Sequence, residues 1–293
     1  MTTWNVQTVM TWSMNYLKER GFENPRLDVE TLLSYALQVN RIQLYIAYDR
    51  PMSIEERDCF RSLLKERGQG VPVAYLVGLR EFMGLDFRVS PEVLIPRPDT
   101  ETLVELLLER VEDKEIKVLD IGVGSGCVGL SLLHLKQKWQ LTGWDVSAAA
   151  LKIATENAEK HQVSDRVTYL NMSALERANW AAGSWDVIVS NPPYIANDEF
   201  QDLCDDVRQY EPHEALFADN DGLRFYQIYA DCAFDALRDN GILAVEIGWK
   251  QAERVQTLLK KQGWSKIEVI PDLAGRDRVI CATKGLGFHA EKS

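Results

Sequence analysis

The residues best suited to chemistry lie in one short segment, Ser190–Tyr194, which reads SNPPY and directly follows a mainly apolar run. The side chain of Asn191 and the carbonyl of Pro192 offer two hydrogen-bond acceptors, and the consecutive prolines fix the backbone that carries them. Two fixed oxygens can hold both hydrogens of a planar NH2 group, aim its nitrogen at an electrophile and stabilise the charge that develops there. We therefore interpret Asn191, Pro192 and Tyr194 as catalytic, and the same three with Pro193 as the substrate site. A proline turn that only ends a strand is the alternative.

A second candidate site is the glycine-rich segment LDIGVGSGCVGL. Its glycines let the backbone turn tightly and approach a ligand, and the following helix points its first N–H groups at that ligand. The loop residues are Gly122, Val123, Gly124, Ser125 and Gly126. Asp145 ends the next predicted strand, 23 positions after Gly122, where a carboxylate can accept the hydroxyls of a ribose. Together they predict a cofactor that contains adenosine, with Asn191 beside it.

The elements that must position these residues alternate between strands and helices from Ile116 onward. This pattern predicts a doubly wound α/β domain with a mostly parallel sheet. The predicted strands are 117–121, 139–145, 166–170, 185–190, 241–247, 266–270 and 278–283. The predicted helices are 100–111, 126–138, 147–161, 222–239 and 250–262. The last two strands are joined by a short loop without a helix, so we expect them to pair antiparallel.

Ligands of such open sheets bind at the carboxyl ends of the parallel strands, which places Asn191 next to the glycine loop and Asp145. The glycine loop alone fits a dinucleotide or S-adenosylmethionine equally well. The antiparallel closing pair, which dehydrogenase folds usually lack, and the SNPPY segment favour S-adenosylmethionine. We therefore expect a seven-stranded, Rossmann-like class I methyltransferase domain.

Residues 1–75 contain helix signals and no catalytic cluster. Val6, Met10, Met14 and Leu17 recur at helical spacing, Asn24 precedes a first-turn proline, and Ser53–Glu56 has the spacing of a capping box. Residues 79–95 alternate between apolar and polar types around Gly84, which predicts a β-hairpin. We predict a helical substrate-recognition bundle at 1–75, a hairpin linker at 76–98 and a methyltransferase domain at 99–285. The tail after residue 284 is expected to fray.

The composition sets limits on function. The chain has 293 residues, 46% of them hydrophobic, and 33 basic against 44 acidic residues give a net charge of -11. A surface of this charge repels phosphate backbones, so we expect no direct binding of nucleic acid. No signal peptide and no apolar run of membrane-spanning length is visible, which predicts a cytoplasmic protein. We also expect it to be a monomer. Five scattered cysteines without a C-x-x-C pair are expected to be reduced, and no metal site is predicted.

With these motifs in hand, the chain resembles the protein-glutamine N5-methyltransferases that modify bacterial peptide-chain release factors, the PrmC/HemK family. The resemblance covers nearly the whole chain and includes five further segments. They are IPRPDTE (95–101), DVSAAALKIATENA (145–158), EPHEALFADNDGL (211–223), EIG (246–248) and DLAGRDRV (272–279). The SNPPY segment alone is shared with amino-methyltransferases that act on adenine or cytosine, whereas IPRPDTE with a helical amino-terminal module is much more specific to the glutamine enzymes.

The resemblance implies that the glutamine of the Gly-Gly-Gln loop of release factors is methylated on its side-chain amide. It implies that the glycine loop, Asp145 and Asn191 bind S-adenosylmethionine, and that Asn191–Tyr194 grip the glutamine amide. It also implies that Arg97 and Glu101 lie in a segment that closes over the cleft, although a local structural role is an open alternative. Glu246 either belongs to the site or caps backbone N–H groups.

Two positions of the resembling segments are expected to lie outside the site. Asp99 and Thr100 are expected only to start a helix, with Thr100 as its N-cap. The sequence departs from methyltransferases of this fold at Ser173, where an acidic residue often holds the adenine amino group.

Two other functions stay open at this point. A nucleic-acid amino-methyltransferase would grip an exocyclic NH2 with the same two acceptors, but it would need a long basic segment. A scaffold that binds the cofactor only for stability would not need the SNPPY segment.

Overall fold

The computed structural model describes residues 4–285, apart from the side chains of Phe200 and Asp202. Its contacts divide the chain into two compact units. The first unit comprises the chain up to Leu79 together with Cys204–Tyr210, and the second comprises Arg80–Leu203 and the chain from Glu211 onward. The predicted domain boundaries at 75 and 98 stay predictions, and most of the tail expected to fray, 286–293, lies outside the described residues.

The first unit is helical, as its sequence pattern predicts. Its helices are α1 (Val6–Glu19), α2 (Pro25–Leu37), α3 (Arg41–Ile46), α4 (Ile54–Arg67), α5 (Val73–Val77) and a later one, Asp205–Tyr210. The capping box predicted at Ser53 is present, because the Glu56 N–H donates to Ser53 Oγ at 3.2 Å. Asn24 precedes α2 without a side-chain capping bond, whereas Pro25 stands in the first turn as predicted.

An ion-pair cluster fastens the later helix to the rest of this unit. Arg67 on α4 contacts Asp28 on α2 at 2.7 Å and Asp206 at 2.6 Å. The Arg67 side chain is only 10% exposed, so these charged groups compensate one another away from most of the solvent. No local sequence pattern predicts that residues 204–210 belong with the amino-terminal helices.

A β-hairpin follows, with strands β1 (Leu79–Phe82) and β2 (Leu85–Arg88) around Gly84, and its presence confirms the prediction for this segment. Phe82 and Phe87 are buried and their ring centroids lie 6.2 Å apart. Asn157 accepts from the Arg88 N–H at 2.7 Å and donates to the Arg88 carbonyl at 3.0 Å. These two hydrogen bonds hold the second strand of the hairpin against the helix Ala148–Lys160 within the second unit.

The second unit is built on one seven-stranded sheet. Its strands are β3 (Ile116–Ile121), β4 (Trp139–Asp145), β5 (Val167–Asn171), β6 (Trp185–Ser190), β7 (Leu237–Glu246), β8 (Ser265–Pro271) and β9 (Asp277–Thr283). Their order is β5-β4-β3-β6-β7-β9-β8. The pairs from β5 to β7 are parallel, and β9 runs antiparallel to β7 and β8. The predicted doubly wound sheet with an antiparallel closing pair is confirmed.

Helices cover both faces of this sheet, because neighbouring residues of each inner strand face opposite ways. These helices are α6 (Glu101–Arg110), α7 (Cys127–Leu135), α8 (Ala148–Lys160), α10 (Arg224–Ile228), α11 (Phe234–Ala236) and α12 (Ala252–Lys261). The label α9 belongs to the Asp205–Tyr210 helix of the first unit. On β3, Val118 packs in the cluster that includes residues of α6–α8, and Leu119 in the cluster that includes residues of α10–α12. Among residues 4–285, no helix combines the length and apolar character that a membrane crossing needs.

The structure differs from the sequence prediction at the helix predicted over 222–239. The helical segment ends at Ala236 and contains a π-helical turn, Tyr229–Ala233. Strand β7 begins at Leu237, because Leu237 pairs with Trp185 and Arg238 forms an ion pair with Asp186 at 2.8 Å. These contacts with the neighbouring strand override the local helical pattern.

Candidate active site

The glycine loop between β3 and α7 lines one side of a cavity of about 930 Å³ in the second unit. Gly122 and Gly124 have φ angles of +75° and +55°, and a Cβ on Gly124 would meet no atom within 4 Å. The space in front of this part of the loop is therefore open to a ligand. Gly126 also has a positive φ, but a Cβ there would approach Leu130 Cδ1 to 2.8 Å. Unlike the other four predicted loop residues, Gly126 is not part of the cavity wall and serves the packing of α7.

Asp145 lines the same cavity and is oriented by two backbone N–H groups. Its Oδ2 accepts from Gly124 N at 2.9 Å and its Oδ1 accepts from Ser147 N at 2.8 Å. Each carboxylate oxygen keeps a further lone pair, so the carboxylate can accept two more hydroxyl groups from the cavity side. Burial raises the pKa of Asp145, although the two N–H groups oppose the shift.

The Ser190–Tyr194 segment is fixed from behind. Ser190 Oγ donates to the Ile121 carbonyl at 2.7 Å, which ties the end of β6 to the end of β3. Further on, the Tyr194 carbonyl accepts from Gln251 Nε2 at 3.0 Å. Because both ends are held, the two prolines between them have little freedom to move.

The fold brings the two predicted sites together. Asn191, Pro192 and Pro193 line the cavity that the glycine loop also lines, and a Cβ built on Gly122 would lie 3.8 Å from the Asn191 carbonyl oxygen. Tyr194 is not part of the cavity wall. Its hydroxyl donates to Glu246 Oε1 at 3.3 Å, and burial raises its pKa.

A chain of hydrogen bonds orients the Asn191 side chain. Asn191 Nδ2 donates to Thr100 Oγ1 at 3.2 Å, and the Thr100 hydroxyl donates to Glu246 Oε2 at 2.6 Å. Within the described part of the chain, no residue donates to Asn191 Oδ1 or to the Pro192 carbonyl. Both predicted acceptors are therefore available to a ligand in the cavity.

Glu246 is almost completely buried at the end of β7. Burial raises the pKa of its carboxyl to about 7, and the Thr100 hydroxyl, the charge of Arg278 and the Tyr194 hydroxyl oppose the shift. The described hydrogen-bond partners of this carboxylate are hydroxyl groups, which argues against the alternative that Glu246 caps backbone N–H groups.

Asp120 is a second buried acid of the cavity wall, and the sequence interpretation missed it. It lies two residues before Gly122, near the end of β3, and its Oδ2 accepts from Gly129 N at 3.1 Å. Burial raises the pKa of Asp120 to about 7, and the nearby charge of Asp145 adds to the shift. A nearby cation interacts more strongly with a buried carboxylate than with one in water, so it would favour the ionised form of Asp120.

The IPRPDTE segment is joined to the EPHEALF segment by one buried carboxylate. Glu211 accepts from Arg97 at 2.5 Å and from the Ile95 N–H at 3.2 Å. Arg97 lines the cavity. Glu101 instead accepts from the Met83 N–H of the hairpin at 2.7 Å and is not part of the cavity wall. The two residues that the resemblance groups together are thus separated by the structure.

Ser173, where the sequence departs from the usual acidic residue, lines the cavity next to Met172, Ala174 and Leu175. Its Oγ accepts from Leu175 N at 3.2 Å, so the hydroxyl is engaged in the local turn. Its hydrogen is still available to an acceptor.

Two family models match the chain, the PrmC N-terminal domain over residues 8–78 and the methyltransferase small domain over residues 98–207. The release factor glutamine methyltransferase of Geobacter sulfurreducens is 41% identical over 277 residues, which cover 94% of this chain and 96% of the relative. The chain belongs to the release factor glutamine methyltransferase family. The family members from Rhodopirellula baltica and Bacillus subtilis are each 37% identical to it. They cover 97% and 93% of this chain, and 97% and 96% of their own lengths.

A methyltransferase from Pyrococcus furiosus shares its fold with a large part of this family member. It is 20% identical and superposes with a TM-score of 0.52, over 69% of this chain and 90% of its own. The family resemblance drawn from the motifs and the class I methyltransferase fold are both confirmed.

The prediction for Thr100 needs correction. Thr100 precedes α6, but its side chain makes no capping bond to that helix. It is 2% exposed, lines the cavity and contacts Asn191 and Glu246 instead. Its cavity position could be anticipated only from the family motif IPRPDTE, because Glu246 lies 146 positions away in sequence.

Proposed function

We propose that this chain transfers the methyl group of S-adenosylmethionine to the side-chain amide nitrogen of the glutamine in the Gly-Gly-Gln loop of peptide-chain release factors. Family membership supports the reaction, and the orientation of Asn191 supports the mechanism. The single observation that carries the mechanism is that Asn191 Nδ2 donates one of its two hydrogens to Thr100, which turns the amide nitrogen toward Thr100. Asn191 can therefore present its oxygen, and not its nitrogen, to a substrate.

The cavity fits the methyl donor chemically. In this proposal Gly122, Val123, Gly124 and Ser125 hold it through the loop backbone, and Asp145 accepts the ribose hydroxyls. Gly126 contributes indirectly, through the packing of α7. The bound donor supplies an electrophilic methyl group on a sulfonium cation. The buried carboxyl of Asp120 stabilises positive charge on this side of the cavity.

The substrate amide is then held from the other side. Asn191 Oδ1 and the Pro192 carbonyl accept the two hydrogens of the glutamine NH2 group, while Pro193 and Tyr194 maintain the shape of the corner. The nitrogen lone pair forms the new N–C bond as the C–S bond breaks and its electrons stay on sulfur. The nitrogen afterwards releases one proton to water. The two oxygens stabilise the positive charge on the nitrogen during transfer, which is typically the largest contribution to such a reaction.

Alignment matters more here than base strength. An amide nitrogen is a poor nucleophile because its lone pair is delocalised into the carbonyl. Positioning of pre-aligned groups can lower a barrier by roughly 7–11 kcal/mol. A substrate without the NH2 group would leave both acceptors unpaired, at about 1–3 kcal/mol for each, so the site also selects its substrate.

Two further proposals concern the role of the first unit and the state of the protein in the cell. We propose that the first unit recognises the release factor, because it is helical and its sequence contains no catalytic cluster. We further propose that the protein is a cytoplasmic monomer. We also propose that it makes no direct nucleic-acid contacts, which the net charge of -11 supports.

The function is tested with S-adenosylmethionine labelled on its methyl group. The purified protein is mixed with a release factor, with the same factor after replacement of the loop glutamine by alanine, and with DNA. We expect label on the intact release factor alone. Label on DNA would instead support an amino-methyltransferase of nucleic acid, and label on neither substrate would contradict the proposal.

A further inference from the structure

A primary amide such as Asn191 can be placed in two ways that differ by a half turn of its terminal group. In one, the oxygen faces the cavity and can accept from the substrate. In the other, the NH2 group faces the substrate NH2 group, and no hydrogen bond can form. The proposed reaction therefore depends on a feature that selects the first placement.

Thr100 provides this selection through the single hydrogen of its hydroxyl. That hydrogen is used in the bond to Glu246 Oε2 at 2.6 Å, so Thr100 Oγ1 can only accept from its other neighbour. The neighbour is Asn191, at 3.2 Å, and only its Nδ2 can donate. The direction of the hydrogen bonds thus runs from Asn191 through Thr100 to Glu246.

Glu246 is itself surrounded by groups that favour its role as an acceptor. Tyr194 donates to its other oxygen at 3.3 Å. This hydroxyl and the positive charge of Arg278 oppose the rise of the Glu246 pKa to about 7 that burial causes. Arg278 is 8% exposed in its side chain and contacts Asp272 at 3.0 Å and Asp99 at 3.1 Å. Glu246, the last acceptor of this series of hydrogen bonds, is therefore held by residues inside the second unit.

Helix formation does not account for the hydroxyl of Thr100. Its side chain makes no capping bond at the start of α6, it is 2% exposed, and it lines the cavity. A buried hydroxyl that neither caps a helix nor bonds to the backbone is retained here by two side-chain partners, one of which belongs to the proposed substrate site.

We propose that Thr100 is a positioning residue that fixes the Asn191 amide with Oδ1 toward the substrate nitrogen, and that Glu246 sets the direction of the Thr100 hydroxyl. This inference rests on the proposed function. It assigns to Thr100 a role in the rate of transfer and none in holding the methyl donor.

The test compares Thr100→Val, which removes the hydroxyl and keeps the branched shape, with Thr100→Ser, which keeps the hydroxyl. We expect Thr100→Val to lower kcat by about tenfold or more, with the Kd for S-adenosylmethionine changed by less than about threefold. Thr100→Ser should stay within about threefold of the wild-type kcat, because its hydroxyl can make both bonds. Thr142→Val, a change of the same type on β4, is the matched control and should leave kcat unchanged.

Three results would overturn the inference. They are a wild-type kcat for Thr100→Val, an equal loss in Thr100→Ser, or a loss of donor affinity as large as the loss of kcat. The last result would indicate a purely structural role.

A measurement without substrate keeps this test separate from that of the function. In the free protein, the side-chain NH2 hydrogens of Asn191 should exchange with solvent at least about tenfold more slowly in wild type and Thr100→Ser than in Thr100→Ala. Equal exchange in all three would overturn the inference even if release factor is methylated. Slow exchange only in the variants that keep the hydroxyl would support the role of Thr100. A failure of the wild type to label release factor would contradict the proposed function and leave that result standing.

Discussion

Gly222 lies directly against the carbonyl oxygen of Tyr194, since a Cβ built on this glycine would come within 2.1 Å of that oxygen. Its φ angle is +75°. The same carbonyl accepts from Gln251, so the chain segment after the two prolines is pressed between a glycine and a glutamine. Gly222 therefore belongs to the support of the proposed substrate site, although it is not part of the cavity wall.

We expect Gly222→Ala to destabilise the protein by roughly 3 kcal/mol or more, because it combines a left-handed backbone with a steric clash. The displaced Tyr194 segment should also lower kcat. Gly183→Ala is the matched control, because Gly183 has a φ of +61° with no atom within 4 Å of a built Cβ. That variant should lose only about 1–2 kcal/mol. Chemical unfolding and initial rates would measure both effects, and equal destabilisation of the two variants would contradict the predicted clash.

Asn191→Ala should abolish detectable transfer, because it removes one of the two acceptors that orient the substrate nitrogen. We expect the Kd for S-adenosylmethionine to change by less than about tenfold, since the donor is held mainly by the loop and Asp145. Calorimetry and a label-transfer assay would separate the two quantities. Asn197→Ala, which changes an asparagine elsewhere in the cavity wall, should keep most of the activity. If both quantities fell equally in Asn191→Ala, this residue would be assigned to the donor.

Asp145→Ala should weaken donor binding by on the order of 10- to 100-fold, which corresponds to the loss of hydrogen bonds to a charged acceptor. The change also releases the N–H groups of Gly124 and Ser147 that Asp145 now holds. Titration calorimetry with S-adenosylmethionine would measure it, and an unchanged affinity would remove the ribose role. Asp165→Ala, at an exposed position outside the cavity, should bind the donor as the wild type does.

Asp120 should make the stability of the donor-free protein depend on pH. Burial raises its pKa from an ordinary value of about 3.9 to about 7 in the folded state. Between these values the folded state binds more protons than the unfolded state, so this group lowers stability as the pH rises. Asp120→Asn removes the titration but can still accept from Gly129.

We therefore expect the difference in unfolding free energy between Asp120→Asn and wild type to change with pH. From pH 5 to pH 8 it should shift by about 3 kcal/mol in favour of the variant. Denaturant unfolding at both pH values measures the difference. Asp165→Asn, which removes an exposed carboxylate, should show almost no change with pH. A gap between Asp120→Asn and wild type that stays constant over this range would show that Asp120 does not titrate in it.

Most of the fold could be predicted because its signals are local. The alternation of strands and helices, the short loop before β9 and the alternating residues around Gly84 lie within a few neighbouring positions of one another. The segment 222–239 is the exception. Its local pattern is helical, but pairing of Leu237 and the ion pair of Arg238 with Asp186 extend β7 into it.

By itself, the sequence determined the motifs, their order along the chain and the carboxyl ends of the strands as their meeting place, because strand and helix periodicity and proline or glycine geometry follow from residue type. Only the tertiary structure decided which atoms of those motifs face the cavity. The placement of the Asn191 amide depends on Thr100 and Glu246, and the raised pKa of Asp120 depends on its burial and on the charge of Asp145, which ends another strand. Hydrogen-bond direction and burial belong to residues that are neighbours in space and far apart in sequence, so no local pattern can encode them.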